Sequence, residues 1–132
     1  MATTPLKPET VELLRRPNPA VMATVTPSGA PVSVATWYLW DDDSQRVLLN
    51  LDAGRARLRH LEHDPRVSLT VLDASWYHHV SLRGEVELVD DPDLADIDRL
   101  ARHYTGKPYA VRDNPRVSAW MTVTSSHLWP PR

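Results

Sequence analysis

The spacing of apolar positions changes several times along the chain, and each change marks an element. Residues 8–16 place Val11, Leu13 and Leu14 on a mostly polar stretch, and Pro17-Asn18-Pro19 cannot continue a helix, so a short N-terminal helix ends there. Residues 20–26 are β-branched and apolar. After the tight turn Pro27-Ser28-Gly29, residues 30–40 alternate Val32, Val34, Thr36 and Tyr38 with Ser33, Ala35, Trp37 and Leu39, which predicts a hairpin. Asp41-Asp42-Asp43-Ser44 makes a polar turn into a third strand over residues 46–51. Beyond Asp52-Ala53-Gly54 the pattern becomes helical but thin: Ala56, Leu58 and Leu61 stand among Arg55, Arg57, Arg59, His60, Glu62 and His63, and Asp64-Pro65 stops the run. Strands are predicted over residues 67–72 and 78–89, the latter interrupted by Gly84. Asp90-Asp91-Pro92 opens a helix with acidic residues where the dipole favours them, and Leu94, Ile97, Leu100 and Ala101 carry it to Tyr104 before Gly106. A loop over residues 108–115 precedes a sixth strand at 117–123, and residues 125–132 read as a tail.

Six strands with short connections and two or three small helices leave too many sheet edges for an open sandwich of this length. The expectation is an α+β, mainly β fold: one domain, residues 1–132, with a six-stranded antiparallel barrel core. Composition narrows the chemistry. The chain has 15 basic and 17 acidic residues and a formal net charge of −2, so it has no global attraction for nucleic acid or an anionic membrane. With no cysteine, disulfides, thiolate metal sites and a cysteine nucleophile are excluded. The first eight residues lack a signal pattern and no apolar run reaches the ~18 residues of a membrane span, so a cytoplasmic protein is expected. There is no phenylalanine, and five tryptophans and four tyrosines supply all the aromatic surface.

Several stretches are distinctive: Met22-Ala23-Thr24-Val25-Thr26-Pro27-Ser28-Gly29-Ala30-Pro31, Trp37-Tyr38-Leu39-Trp40-Asp41, and the run from Gly54-Arg55-Ala56-Arg57-Leu58-Arg59 to Arg66-Val67-Ser68-Leu69. Further on come Val80-Ser81-Leu82-Arg83-Gly84-Glu85, Tyr104-Thr105-Gly106-Lys107-Pro108-Tyr109, and Arg116-Val117 through His127. In these the chain resembles the pyridoxamine-phosphate-oxidase-like split-barrel family, and within it the actinobacterial flavin/deazaflavin oxidoreductases that use coenzyme F420. The resemblance implies a six-stranded split barrel, a homodimer with shared cofactor sites, and an oxidoreductase that moves hydride between reduced F420 and a small conjugated or heteroaromatic acceptor. FMN is the alternative cofactor. A flavin-dependent oxidase or a non-catalytic flavin- or haem-binding barrel is the alternative function. Members of the deazaflavin branch usually carry lysine where this chain has Arg57, which keeps the charge and changes its geometry from a point to a planar fork.

Arg55 and Arg57, with Arg59 beyond, stand where a strand gives way to a helix, whose start offers unpaired N–H groups and a positive dipole end. That is a phosphate site in outline, and equally the pattern of a solvated arginine-rich helix face. The resemblance favours phosphate and lays a tricyclic ring across Ser33, Val34, Thr36, Asn50 and Leu51. Ser33, Thr36 and Asn50 are then hydrogen-bonding candidates, or else outward-facing polar residues. Trp76 and Tyr77 are candidates to cover the ring from the second subunit, or else packing residues. No metal is expected, because the adjacent His78 and His79 point to opposite faces of a strand and His60 with His63 lack a third ligand. No nucleophile, acid or base declares itself, as befits chemistry supplied by a cofactor.

Overall fold

A computed structural model describes residues 5–131; residues 1–4 and Arg132, which belong to the expected N-terminal segment and tail, lie outside the described residues. In chain order the elements are α1 (Pro8–Leu14), β1 (Ala20–Val25), β2 (Pro31–Thr36), β3 (Leu39–Asp41), β4 (Arg46–Asp52), α2 (Ala56–His63), β5 (Arg66–Leu72), β6 (His79–Asp90), α3 (Ala95–Thr105) and β7 (Arg116–Trp129). The strands form one antiparallel sheet in the order β2-β1-β5-β6-β7-β4-β3. Its two edge strands, β2 and β3, are joined by Trp37 and Tyr38 alone. The sheet must therefore curl until its edges meet at that corner, which is the geometry of a split barrel.

Two expectations are corrected. The sheet has seven strands rather than six, because residues 30–40 break at Trp37-Tyr38. The Tyr38 N–H donates to the Tyr104 hydroxyl at 3.3 Å and the Tyr38 hydroxyl to the Arg16 carbonyl at 2.7 Å, so this backbone is satisfied off the ladder. The segment read as a tail is the second half of β7, paired with β6 as far as Trp129 opposite His79. Its polar Ser125-Ser126-His127 hid a strand whose partner, β6, is 12 residues long. A bulge at Arg83/Gly84 lets both halves pair, and only glycine fits there: a Cβ on Gly84 would lie 1.9 Å from the Thr122 carbonyl oxygen.

The concave face buries Met22, Leu69, Leu82, Met121, Val47, Leu49 and Leu51, with Leu13 and Leu14 of α1 closing one end. Each such side chain stabilises the fold by about 1.5–3 kcal/mol through burial. Strand alternation sends the intervening Leu48 to the opposite face, where it packs with Leu39 beneath Ile97 and Leu100 of α3. Asn50, two residues on, falls on that same face and is buried at the start of α3. This places a polar side chain between two apolar layers, on the lining of a cavity.

Candidate functional site

Among the described cavities, one of about 750 Å³ opens between the β2–β3 corner, the end of β4, the start of α2, α3 and the loop before β7. Its volume is within the range of small-molecule sites. One side is aromatic. Trp37 stacks on Tyr104 with ring centroids 5.3 Å apart and planes 10° from parallel, and Tyr109 meets Trp37 edge-on at 6.1 Å. The Tyr104 hydroxyl donates to the Asn18 carbonyl at 2.7 Å, and burial pushes its pKa up to about 12, so the phenol stays protonated and the ring stays anchored. Ala20, Ala35, Ile97 and Leu100 complete the apolar lining.

The other side is cationic. Arg55, Arg57 and Arg116 all line the cavity, and none makes a salt bridge among the described residues. Arg57 reaches only the Met22 sulfur, at 3.9 Å. Burial, and then the like charges of Arg55 and Arg116, hold its guanidinium below the ordinary arginine range. The carboxylate in the lining is Asp52, which accepts from the Gly54 N–H at 2.8 Å and from Asn114 Nδ2 at 3.0 Å. The Gly54 bond is the leading cause that holds Asp52 below the usual carboxylate range, which keeps it ionised and makes it no proton donor near neutrality. Helix α2 starts at Ala56 with no side-chain cap and no acidic residue in its first turn. Its N-terminal N–H groups and dipole therefore add to the positive end of the cavity.

The fold brings together four of the ten residues singled out from sequence: Thr36, Asn50, Arg55 and Arg57 line the cavity. Thr36 donates its hydroxyl to the Trp37 carbonyl at 3.0 Å. Both N–H groups of the Asn50 amide and its oxygen are engaged by protein: Nδ2 donates to Asp91 at 3.1 Å and Ser118 at 3.0 Å, and Oδ1 accepts from Arg116 Nε at 2.8 Å. The other six lie outside the lining. Ser33 and Val34 are exposed on the edge strand β2, Arg59 is exposed on α2, and Leu51 is buried in the core. Trp76 and Tyr77, 72% and 56% exposed, form a surface cluster in which Tyr77 also meets Trp129 edge-on at 6.3 Å.

Sequence reasoning missed Trp37, Tyr104, Tyr109 and Arg116 as members of one site. The signal for the aromatics was present in the Trp37-Tyr38 pair and the Tyr104 to Tyr109 stretch, but three separate segments had to be folded together. Arg116 begins a strand, and nothing local distinguishes it from a solvated strand end.

The cavity thus offers a flat apolar surface and, beside it, a cluster of positive charge with little compensation. No curated protein matches the sequence. Among solved structures, an F420 reductase is 29% identical with a TM-score of 0.82, over 92% of this chain and 98% of that one. A conserved hypothetical protein from Mycobacterium tuberculosis is 25% identical with a TM-score of 0.77, over 96% of this chain and 86% of that one. General stress protein 26 from Bacillus anthracis, 13% identical, shares the fold with a TM-score of 0.73 over 94% of this chain and 93% of its own. The pyridoxamine 5'-phosphate oxidase family model matches residues 6–130, nearly the whole chain, and the chain belongs to that family.

Proposed function

We propose that this protein is an oxidoreductase that holds a phosphate-bearing flavin-type cofactor, coenzyme F420 in the first instance, in the cavity between Trp37 and the Arg55–Arg57 pair. The observation that carries the reading is the division of one cavity into an aromatic wall and an arginine cluster without salt-bridge partners. A planar heterocycle covers the first at little entropic cost, and an organic phosphate satisfies the second through charge-assisted, forked hydrogen bonds. The structural likeness to an F420 reductase at 29% identity supports the deazaflavin over other flavins. When bound and reduced, such a cofactor supplies a hydride to a small conjugated or heteroaromatic acceptor.

What the chain contributes is position. Tyr104, tied to the Asn18 carbonyl, fixes the plane of Trp37, and the Pro17 and Pro19 segment beneath it is stiff at φ. Arg55 and Arg57 hold the phosphate at the uncapped start of α2, while Ala20, Ala35, Ile97 and Leu100 keep water from the ring side. In the same reading Ser33, Val34, Trp76 and Tyr77 act across a homodimer interface. Strand β2 is an exposed edge, and Val21, Val34, Trp76, Tyr77 and Trp129 leave apolar surface uncovered. A second copy that covers them buries roughly 2,000 Å² or more. Light scattering at micromolar concentration checks this: a 15.0 kDa particle contradicts the dimer.

FMN is kept as a second reading on a specific observation. F420 has a longer anionic tail than FMN, and Arg15 and Arg16, basic residues near the N-terminus that a tail would need free, are tied to Asp42 and Asp73 at 2.9 Å each. The experiment that tests the function is to mix the protein with reduced F420 and a panel of enones and quinones and follow reoxidation of the cofactor. Protein-dependent reoxidation is the expected result. A protein that purifies with FMN and leaves reduced F420 untouched in every mixture would favour the alternative.

A further inference from the structure

Six arginines, at positions 15, 16, 46, 66, 99 and 112, have a carboxylate partner. The three that line the 750 Å³ cavity do not, although the like charges of Arg55 and Arg116 bear on the half-buried Arg57. Arg116 is the best held of the three. Its Nε donates to Asn50 Oδ1 at 2.8 Å, and its guanidinium lies over the Tyr109 ring, 4.8 Å from the centroid. Asn50 is in turn immobilised: Nδ2 donates to Asp91, which accepts the Asp96 and Ile97 N–H groups at the start of α3, and to Ser118, whose hydroxyl donates to Asp96 at 2.7 Å. This network engages Nε and leaves the remaining N–H donors of a cavity-lining guanidinium without a carboxylate partner among the described residues. The network's own carboxylates, Asp91 and Asp96, bind Asn50, Ser118 and the start of α3 rather than the half-buried guanidinium, which leaves its outer donors for an anion in the cavity.

We propose that Arg116 is a third anion-binding residue of this cavity, with Asn50 as its positioning residue, and that the ligand therefore presents at least two negative charges to the chain. Three guanidiniums face one carboxylate, Asp52, so a singly charged ligand leaves the cavity electrostatically unsatisfied. A phosphomonoester dianion and a phosphodiester with a nearby carboxylate both meet the requirement; FMN carries the first and F420 the second. The inference rests on the functional reading above.

The test is a set of titrations by tryptophan fluorescence, using the full chain and its Arg116→Gln, Arg116→Lys, Asn50→Ala and Asn50→Ala/Arg116→Gln variants, with circular dichroism to establish folding. F420, FMN and riboflavin are the probes. Arg116→Gln is expected to weaken whichever phosphate-bearing cofactor binds by about tenfold or more and to leave riboflavin, which has no phosphate, within about twofold. Arg116→Lys, which keeps the charge but cannot donate from Nε to Asn50, falls between. Because Asn50 acts through Arg116, the double variant is expected to bind no more than about twofold more weakly than Arg116→Gln alone. F420 or FMN affinity unchanged in both Arg116 variants, while Arg55→Gln and Arg57→Gln weaken it, would overturn the inference and leave the functional reading standing. Losses for Asn50 and Arg116 that multiply would remove the positioning role. No saturable binding of either cofactor to the unmodified protein would overturn both.

Discussion

The wall of the cavity built by β4, β7 and α3 is a buried hydrogen-bonded structure, whereas the wall at the start of α2 is an exposed helix end. In the first, Asn50, Asp91, Asp96 and Ser118 bind one another and hold Arg116 by its Nε, and Trp37 and Tyr104 are stacked and tethered. In the second, Arg55 has no salt bridge among the described residues and Arg57 touches only a methionine sulfur. A site can thus be divided between parts that the fold needs and parts that only a ligand needs. Mutations of the groups that hold the start of α3 and the Trp37–Tyr104 stack should appear in stability, mutations of Arg55 and Arg57 in binding, and Arg116, held by the first wall and facing the second, belongs with the binding group.

The largest effect should come from Asp91→Ala. It removes the acceptor for two N–H groups of α3 and leaves one Asn50 N–H unpaired, so a loss of about 2–4 kcal/mol is expected in chemical denaturation. Tyr104→Phe is next. It deletes the hydroxyl that donates to Asn18 and accepts from Tyr38, at a cost of about 1–2 kcal/mol, and it should also loosen Trp37, visible as a shifted tryptophan emission.

A smaller effect concerns pH. His103 packs edge-on against Tyr104 at 5.5 Å, and burial, aided weakly by Arg99, holds its pKa below the usual value, against an opposing backbone hydrogen bond at Arg16. A base whose folded pKa is depressed adds stability above its unfolded pKa, about 6.5, and loses it as pH falls through the folded value. Thermal melts between pH 7.5 and 5 should therefore show falling stability on acidification, and His103→Gln should flatten that slope; an unchanged slope would remove His103 as the cause. The smallest effect on stability is expected from Arg55→Ala/Arg57→Ala, within about 0.5 kcal/mol of the unmodified protein, because no structural contact of consequence is lost. A large destabilisation would erase the distinction between the two walls.

The sequence was informative where periodicity and local chemistry agree. The order of helices and strands, the Gly84 irregularity and the arginine pair at a strand-to-helix junction were all legible, since each depends on neighbours a few residues away. What failed depends on distance. The break at Trp37-Tyr38 exists because Tyr104, 66 residues later, accepts the Tyr38 N–H. The end of β7 is a strand because β6 is long enough to pair with it. Asn50 does line the cavity, but its bonds to Asp91, Ser118 and Arg116, none nearer than 41 residues along the chain, were not legible. Arg116 carried no local mark at all.

The most direct test of the central claim is a binding titration of cofactor-free protein with F420, repeated from low to high salt and set beside the same titration of Arg55→Ala/Arg57→Ala. The account predicts saturable binding to the unmodified protein that weakens as salt screens the arginine cluster, and an affinity about tenfold or more lower in the double variant. Binding that ignores both salt and the loss of the two arginines would contradict it.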